Sequence, residues 1–108
     1  MPIPAKPLIG IVVPVHNEEM VLRSFHARLA AALDGDALDW KVLYVDDGST
    51  DASGAIIGEF AAQSARVRGV RLTRNFGQDV ALSCGLELAE GDALVPIDAV
   101  LQDPPELI

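Results

Sequence analysis

Continuous apolar, largely β-branched runs alternate along this chain with amphipathic stripes of helical period, and few architectures accommodate that alternation. Leu8-Ile9-Gly10-Ile11-Val12-Val13 has no polar face, the mark of a strand covered on both sides. From Glu19 the apolar positions Val21, Leu22, Phe25, Leu29, Ala32 and Leu33 fall on one helical stripe, which Asp34-Gly35-Asp36 ends. Trp40 to Val45 reads as a second strand. Ser49-Thr50-Asp51 reads as the cap of a helix with Ile56, Ile57 and Phe60 turned inward, and Val67 to Leu72 as a third strand. Gln78 to Ala89 reads as a third helix, stopped near Gly91, and Ala93-Leu94-Val95-Pro96-Ile97 as a fourth, buried strand. Strands that alternate with helices call for parallel pairing through right-handed crossovers. The expected fold is α/β, a Rossmann-like, open and mainly parallel sheet of order 3-2-1-4 with helices on both faces.

Ligands of such sheets lie outside the carboxyl ends of the strands where the order reverses, here between the first strand and the fourth. That rule brings Pro14-Val15-His16-Asn17-Glu18 beside Asp98-Ala99-Val100-Leu101-Gln102, with Asp46-Asp47-Gly48-Ser49-Thr50-Asp51 on the same rim. His16 and Glu18 could meet a nucleoside by stacking and by hydrogen bonds to sugar hydroxyls. Equally, Asn17 could cap the first helix while Glu18 favours its positive end. A carboxylate of the Asp46-Asp47 pair could accept from the N–H of a base, or the segment could simply form a turn. Carboxylates spaced two apart at a strand end chelate a hard divalent cation. Asp98 is present, but Val100 stands two residues later, which leaves Asp98, Gln102 and Asp103 as the oxygen donors. Asp103-Pro104-Pro105-Glu106 also reads as a plain helix start.

Several function classes are disfavoured. A formal charge of −8 with no Lys/Arg cluster argues against nucleic-acid binding. The first turn lacks the Gly-x-Gly-x-x-Gly of redox dinucleotide sites, and there is no Gly-rich loop ending in Lys-Ser/Thr. A receiver domain would carry its acidic pair after strand one, and a sugar nucleotidyltransferase a Gly-rich, Arg-containing loop there. The single Cys84 excludes an internal disulfide and reads as an inert thiol on an apolar helix face. No signal peptide is visible, and no apolar run approaches the ~20 residues that span a bilayer. At 108 residues, half of them apolar, the chain has material for one modest core, a single domain over 1–108. A helix that starts at Asp103 has little room to run, so the chain reads as the N-terminal portion of something larger.

Taken together, Val13-Pro14-Val15-His16-Asn17-Glu18-Glu19, Val45-Asp46-Asp47-Gly48-Ser49-Thr50-Asp51, Arg74-Asn75-Phe76-Gly77 and Asp98-Ala99-Val100-Leu101-Gln102-Asp103-Pro104-Pro105-Glu106 resemble the family 2 glycosyltransferases, in particular their polyprenyl-phosphate branch. The resemblance implies the N-terminal, nucleotide-sugar-binding half of a GT-A fold. It implies inverting transfer of a hexose from a nucleotide-diphosphate sugar to a dolichyl or undecaprenyl phosphate, at the cytoplasmic face of a membrane. The alternatives are a non-catalytic, degenerate nucleotide-sugar-binding module and a family 2 enzyme acting on a saccharide hydroxyl. By resemblance Pro14, His16 and Glu18 fall to the nucleoside, with His16 where Tyr is common, and Val45 and Asp47 to the base. Asp98, the residue closest to the chemistry, and Ala99 fall to ribose, diphosphate or metal, and Gln102 to the metal. The cofactor implied is Mg²⁺ or Mn²⁺, weakened because Val100 replaces the usual Asp. A lipid phosphate is already an anion, so no general base is needed for it. The 108-residue chain itself is expected to be soluble and inactive, and to self-associate, most simply as a dimer, through apolar surface uncovered near Val95, Ile97 and Leu101.

Overall fold

A computed structural model describes residues 7–35 and 38–99. Seven elements follow one another as β1 (Leu8–Val15), α1 (Glu19–Leu33), β2 (Asp39–Asp46), α2 (Ser53–Gln63), β3 (Val67–Arg71), α3 (Gln78–Leu88) and β4 (Ala93–Pro96). The sheet has the order β3-β2-β1-β4 and every pairing is parallel, as the alternation of runs and stripes requires.

Register sorts the apolar residues onto two faces. Ile11 lies opposite Val42, Val13 opposite Tyr44, and Val12 opposite Leu43. Ile11, Val13, Val15, Val42 and Tyr44 pack under α1 and α2 with Leu22, Phe25, Leu29, Ile56, Ile57 and Phe60. On the other face Val12, Leu43 and Val45 pack with Ala81 of α3. This second layer is thin because α3 sits close: a Cβ on Gly85 would lie 2.4 Å from Val12 Cγ1 and 3.0 Å from Val45 Cγ2. The residues that make β1 and β2 continuous apolar runs are therefore the ones that need helices on both sides.

Element ends and edges differ from the sequence reading in informative ways. The stripe of α1 is narrower than expected, with Val21 and Leu33 half-buried and Ala32 exposed. Ser49-Thr50-Asp51 does not cap α2, whose first residue is Ser53 and whose flanking Ala52 makes no side-chain cap. Ser49 is instead drawn into the interior and donates its N–H to Asp46 Oδ1 at 2.9 Å. The fourth strand is not buried, since all four residues of β4 are exposed. Among the described residues it pairs with β1 alone, and Leu94 and Val95 are 37% and 40% exposed. Ile97 packs against the main core, so the uncovered surface expected there begins at Leu94 and Val95; Leu101 lies outside the described residues. Cys84 is half-buried on α3.

A polar contact joins three elements inside the larger core. His26 Nδ1 of α1 lies 2.6 Å from the Tyr44 hydroxyl of β2, and the imidazole stacks on Phe60 of α2 with centroids 4.1 Å apart. Burial disfavours charge on the ring and lowers its pKa from 6.5. The unfolded chain then binds the proton more readily, so this contribution to stability is complete above pH 6.5 and is lost as the pH falls below it. Urea unfolding between pH 7.5 and about 5 should show falling stability in the wild type, with a shallower slope in His26→Phe. Equal slopes would mean that His26 is solvated in both states.

Candidate functional site

A cleft of about 290 Å³ opens at the carboxyl ends of β1, β2 and β4, lined by Pro14, Val15, His16, Glu18, Asp47, Asn75, Gly77, Gln78 and Asp98. The point of order reversal thus holds a site, and residues from four loops meet there. Of the residues singled out in the sequence, Pro14, His16, Glu18, Asp47 and Asp98 line it together.

Side-chain oxygens that accept backbone N–H groups build the walls. Asn17 has φ 53, a conformation that Asn tolerates better than most residues, and its Oδ1 accepts from the N–H of Thr50 at 2.8 Å and of Asp51 at 3.3 Å. In return Ser49 Oγ accepts from Asn17 N–H, Ser53 Oγ from Glu18 N–H, and Asp51 Oδ2 from Glu19 N–H. Asn17 therefore does not cap α1; it joins the loop after β1 to the loop after β2. Burial pushes the Asp51 carboxyl up, but hydrogen bonds from Ser53 and the backbone outweigh it and hold the group below its usual range.

The loop after β3 is held by Asp47. This carboxylate is 3% exposed and accepts from Phe76 N–H at 2.8 Å and from Gly77 N–H at 3.0 Å. Gly48, at φ 64, lets the same loop approach, because a Cβ there would lie 2.3 Å from the Arg74 carbonyl carbon. The two acids of the pair have separate tasks: Asp46 takes the Ser49 N–H and faces Arg71 Nε at 3.8 Å, and Asp47 clamps the third loop.

Negative charge gathers on one side of the cleft. Glu18 has its pKa raised by burial first and then by repulsion from Asp98 and Asp51, with His16 acting weakly the other way. Gly77 and Gln78, at the N-terminal end of α3, line the cleft as well. Among the described residues no group of three or more His, Cys, Asp or Glu could hold a metal ion. Val100 and Gln102, the remaining positions of the expected metal loop, lie outside the described residues.

Two expected site residues do not face the cleft with their side chains. Val45 is fully buried under α3, where the helix approaches through Gly85, and Ala99 is fully buried in the core under α1. Neither side chain lines the cleft, so either residue reaches a ligand through its backbone only. Conversely, Val15, Asn75, Gly77 and Gln78 were not singled out as ligand-facing. The Arg74-Asn75-Phe76-Gly77 segment was visible as a motif, but its junction with Asp47 depends on loop contacts that no periodicity encodes.

The sequence profile of the family described as Glycosyl transferase family 2 matches residues 10–108. The undecaprenyl-phosphate 4-deoxy-4-formamido-L-arabinose transferase of Aeromonas hydrophila is 42% identical over 102 residues, which are 94% of this chain and 31% of that protein. A prophage bactoprenol glucosyl transferase homolog of Escherichia coli is 40% identical over 100 residues, 93% of this chain and 33% of that one. The chain thus spans about a third of the length of the curated relatives it matches. Among solved structures, the mannosyltransferase PcManGT of Pyrobaculum calidifontis, in complex with GDP-Man and Mn²⁺, superposes with a TM-score of 0.75 at 24% identity, over 87% of this chain and 28% of that one. At that identity the likeness is one of fold, and the parallel 3-2-1-4 sheet is that of the GT-A glycosyltransferases.

The double acceptor at Asp47 is a structural commitment that can be measured. Asp47→Asn keeps one acceptor but turns an NH₂ group toward a backbone N–H, which should destabilise the chain by about 2 kcal/mol in urea unfolding. An unchanged midpoint would mean that the loop after β3 is held by other contacts.

Proposed function

Because the chain belongs to glycosyl transferase family 2, we propose that it is the N-terminal, nucleotide-sugar-binding part of an inverting hexosyltransferase whose acceptor is a polyprenyl phosphate. The observation that carries the reading is the cleft itself, where Pro14, His16, Glu18, Asp47 and Asp98 meet at the switch point of a GT-A sheet. Pro14, His16 and Glu18 would take the nucleoside. Asp47 keeps spare lone pairs beside its two backbone donors for the edge of a base, with the backbone of Val45 alongside. Asp98 and the backbone of Ala99 would face ribose and diphosphate. The polyprenyl acceptor is supported by relatives named for undecaprenyl-phosphate and bactoprenol transfer. A lipid phosphate oxygen would attack the anomeric carbon and displace the nucleoside diphosphate, and an anionic nucleophile asks no base of this chain. That acceptor places the reaction at the cytoplasmic face of a membrane; among the described residues no helix is long and apolar enough to cross one.

A divalent cation, Mg²⁺ or Mn²⁺, belongs to this reading because the donor is an anion and this chain is acidic. The described residues do not fit a complete metal site, since no group of three or more His, Cys, Asp or Glu among them could hold the ion, and no step is derived through it. Val100 favours a second reading, a module that binds the nucleotide sugar without turning it over. Isothermal titration of Mn²⁺ in the presence of UDP or GDP should show weak binding, and Val100→Asp should tighten it on the order of tenfold by adding a charged ligand. Equal affinities would place position 100 outside the coordination shell. In a full-length protein carrying these residues, hexose should pass from a nucleotide sugar to undecaprenyl phosphate in preference to a saccharide acceptor. Transfer to the saccharide alone would overturn the acceptor assignment.

The edge at β4 supports a proposal about association. Leu94 and Val95 on the strand and Val80, Leu86 and Leu88 on α3 are exposed, and among the described residues β4 has a strand neighbour on one side only. This 108-residue chain should sediment as a dimer at tens of micromolar. A clean monomer would count against it.

A further inference from the structure

Asp46 is a buried carboxylate whose charge is met from outside the cleft. It is 2% exposed at the end of β2, its Oδ1 accepts the N–H of Ser49 at 2.9 Å, and its Oδ2 has no hydrogen-bond partner among the described residues. Burying a carboxylate oxygen in that state is costly unless a positive charge lies close. Strand register supplies one: Arg71 of β3 pairs with Asp46, and its Nε stands 3.8 Å from Oδ2, an ion-pair rather than a hydrogen-bond distance. The same guanidinium donates through Nη2 to the Ser49 carbonyl at 3.2 Å. Ser49 is thus held at both of its backbone groups, the N–H by Asp46 and the C=O by Arg71. Room for the pair comes from α2, where a Cβ on Gly54 would lie 2.8 Å from Asp46 Oδ2 and 3.5 Å from Arg71 Nη1.

We propose that Arg71 is a positioning residue for the cleft: by bridging Asp46 and Ser49 it fixes the turn that carries Asp47. Between the two anchored residues lie only Asp47 and Gly48, the latter at φ 64. Ser49 Oγ in turn accepts the N–H of Asn17 at 2.9 Å, so the bridge also steadies the loop that brings His16 and Glu18 to the cleft. Arg71 is not among the residues that line the cleft, and its side chain is 68% exposed. An ordinary exposed ion pair contributes little. This one differs in its buried partner and in its second bond, because the planar fork of a guanidinium can meet two acceptors at once. Its consequence is the direction of Asp47 more than the stability of the chain. The inference deepens the nucleotide reading and rests on it for the ligand half only.

Ligand-free ¹H–¹⁵N spectra of this chain test the bridge. The Arg71 guanidinium should give resolved, slowly exchanging N–H signals. Asp46→Asn, which keeps an acceptor for Ser49 N–H but removes the charge, should make them exchange like those of an exposed arginine. Arg71→Met should shift the backbone amides of residues 47–49 in a chain that still unfolds cooperatively. Freely exchanging Arg71 signals in the wild type, or amides that Arg71→Met leaves in place, would overturn the proposal. Titration with UDP and GDP tests the ligand half. Arg71→Met should weaken binding about tenfold, on the scale of one lost hydrogen bond to a charged group. Arg71→Lys, which keeps the charge but not the fork, should recover only part of that loss. Arg68→Met removes a cation three residues earlier on the same strand, one that pairs with Glu90 at 3.8 Å, and should leave affinity unchanged. Equal losses in Arg68→Met and Arg71→Met, or full recovery in Arg71→Lys, would mean that the ligand feels net charge and not the bridge. Either result, or unchanged affinity in Arg71→Met, overturns the positioning role. Failure of the wild type to bind either nucleotide would overturn the ligand half together with the nucleotide reading, while the bridge, observed without ligand, would still stand or fall alone.

Discussion

Buried acceptors that take backbone N–H groups from neighbouring loops are the constraint on which the functional end of this molecule depends. A parallel sheet leaves its carboxyl edge as a row of loops that do not hydrogen-bond to one another through strand pairing. Here Asn17 ties the loop after β1 to the loop after β2, and Asp47 ties the loop after β2 to the loop after β3. Charge-assisted and multiple hydrogen bonds of this kind are among the stronger local contacts a surface loop can have. The cleft is consequently built by loops that are fixed before any ligand arrives, which lowers the ordering cost of binding.

That arrangement explains why acidic and amide residues crowd a region where an anionic ligand is expected. Of the acids around the cleft, Asp46 and Asp47 are committed to backbone N–H groups, and Asp51 serves Glu19 and Ser53. Glu18 and Asp98 line the cleft in mutual repulsion. Net charge alone would count all of them as obstacles to a diphosphate. The hydrogen-bond pattern marks Asp46, Asp47 and Asp51 as scaffold.

The sheet order, the parallel sense and the faces of the helices were legible in the sequence because they follow from the alternation of runs and stripes: residues 8–15 and 42–45 are continuous apolar runs, and Ile56, Ile57 and Phe60 recur at helical spacing. Convergence of Pro14, His16, Glu18, Asp47 and Asp98 was legible because the switch point of an open sheet is a topological consequence. Three things were not. The exposure of β4 depends on what lies beside it in space, and an apolar run looks the same at an edge as at the centre. Val45 and Ala99 sit next to site residues in the chain, but in extended backbone successive side chains point to opposite faces, which sends Val45 under α3. Asn17 reads as a helix cap by its position before Glu19, and only its positive φ redirects the side chain to the adjacent loop.

The thin layer under α3 gives the cleft its second property. Contact through Gly85 and Ala81 brings the helix near the sheet, so the N-terminal end of α3 is set close to the strand ends that Pro14 and Asp98 occupy. A bulkier residue at position 85 would meet Val12 and Val45 and push the helix outward. Gly77, at φ 103, then turns the chain sharply from the Asp47 clamp into the helix. Packing on the α3 face and the Asp47 bond to Gly77 N–H thus hold the start of the helix together. Gly77 and Gln78 line the cleft together with Glu18 and Asp98, and the Gly77 N–H is already taken by Asp47 Oδ2.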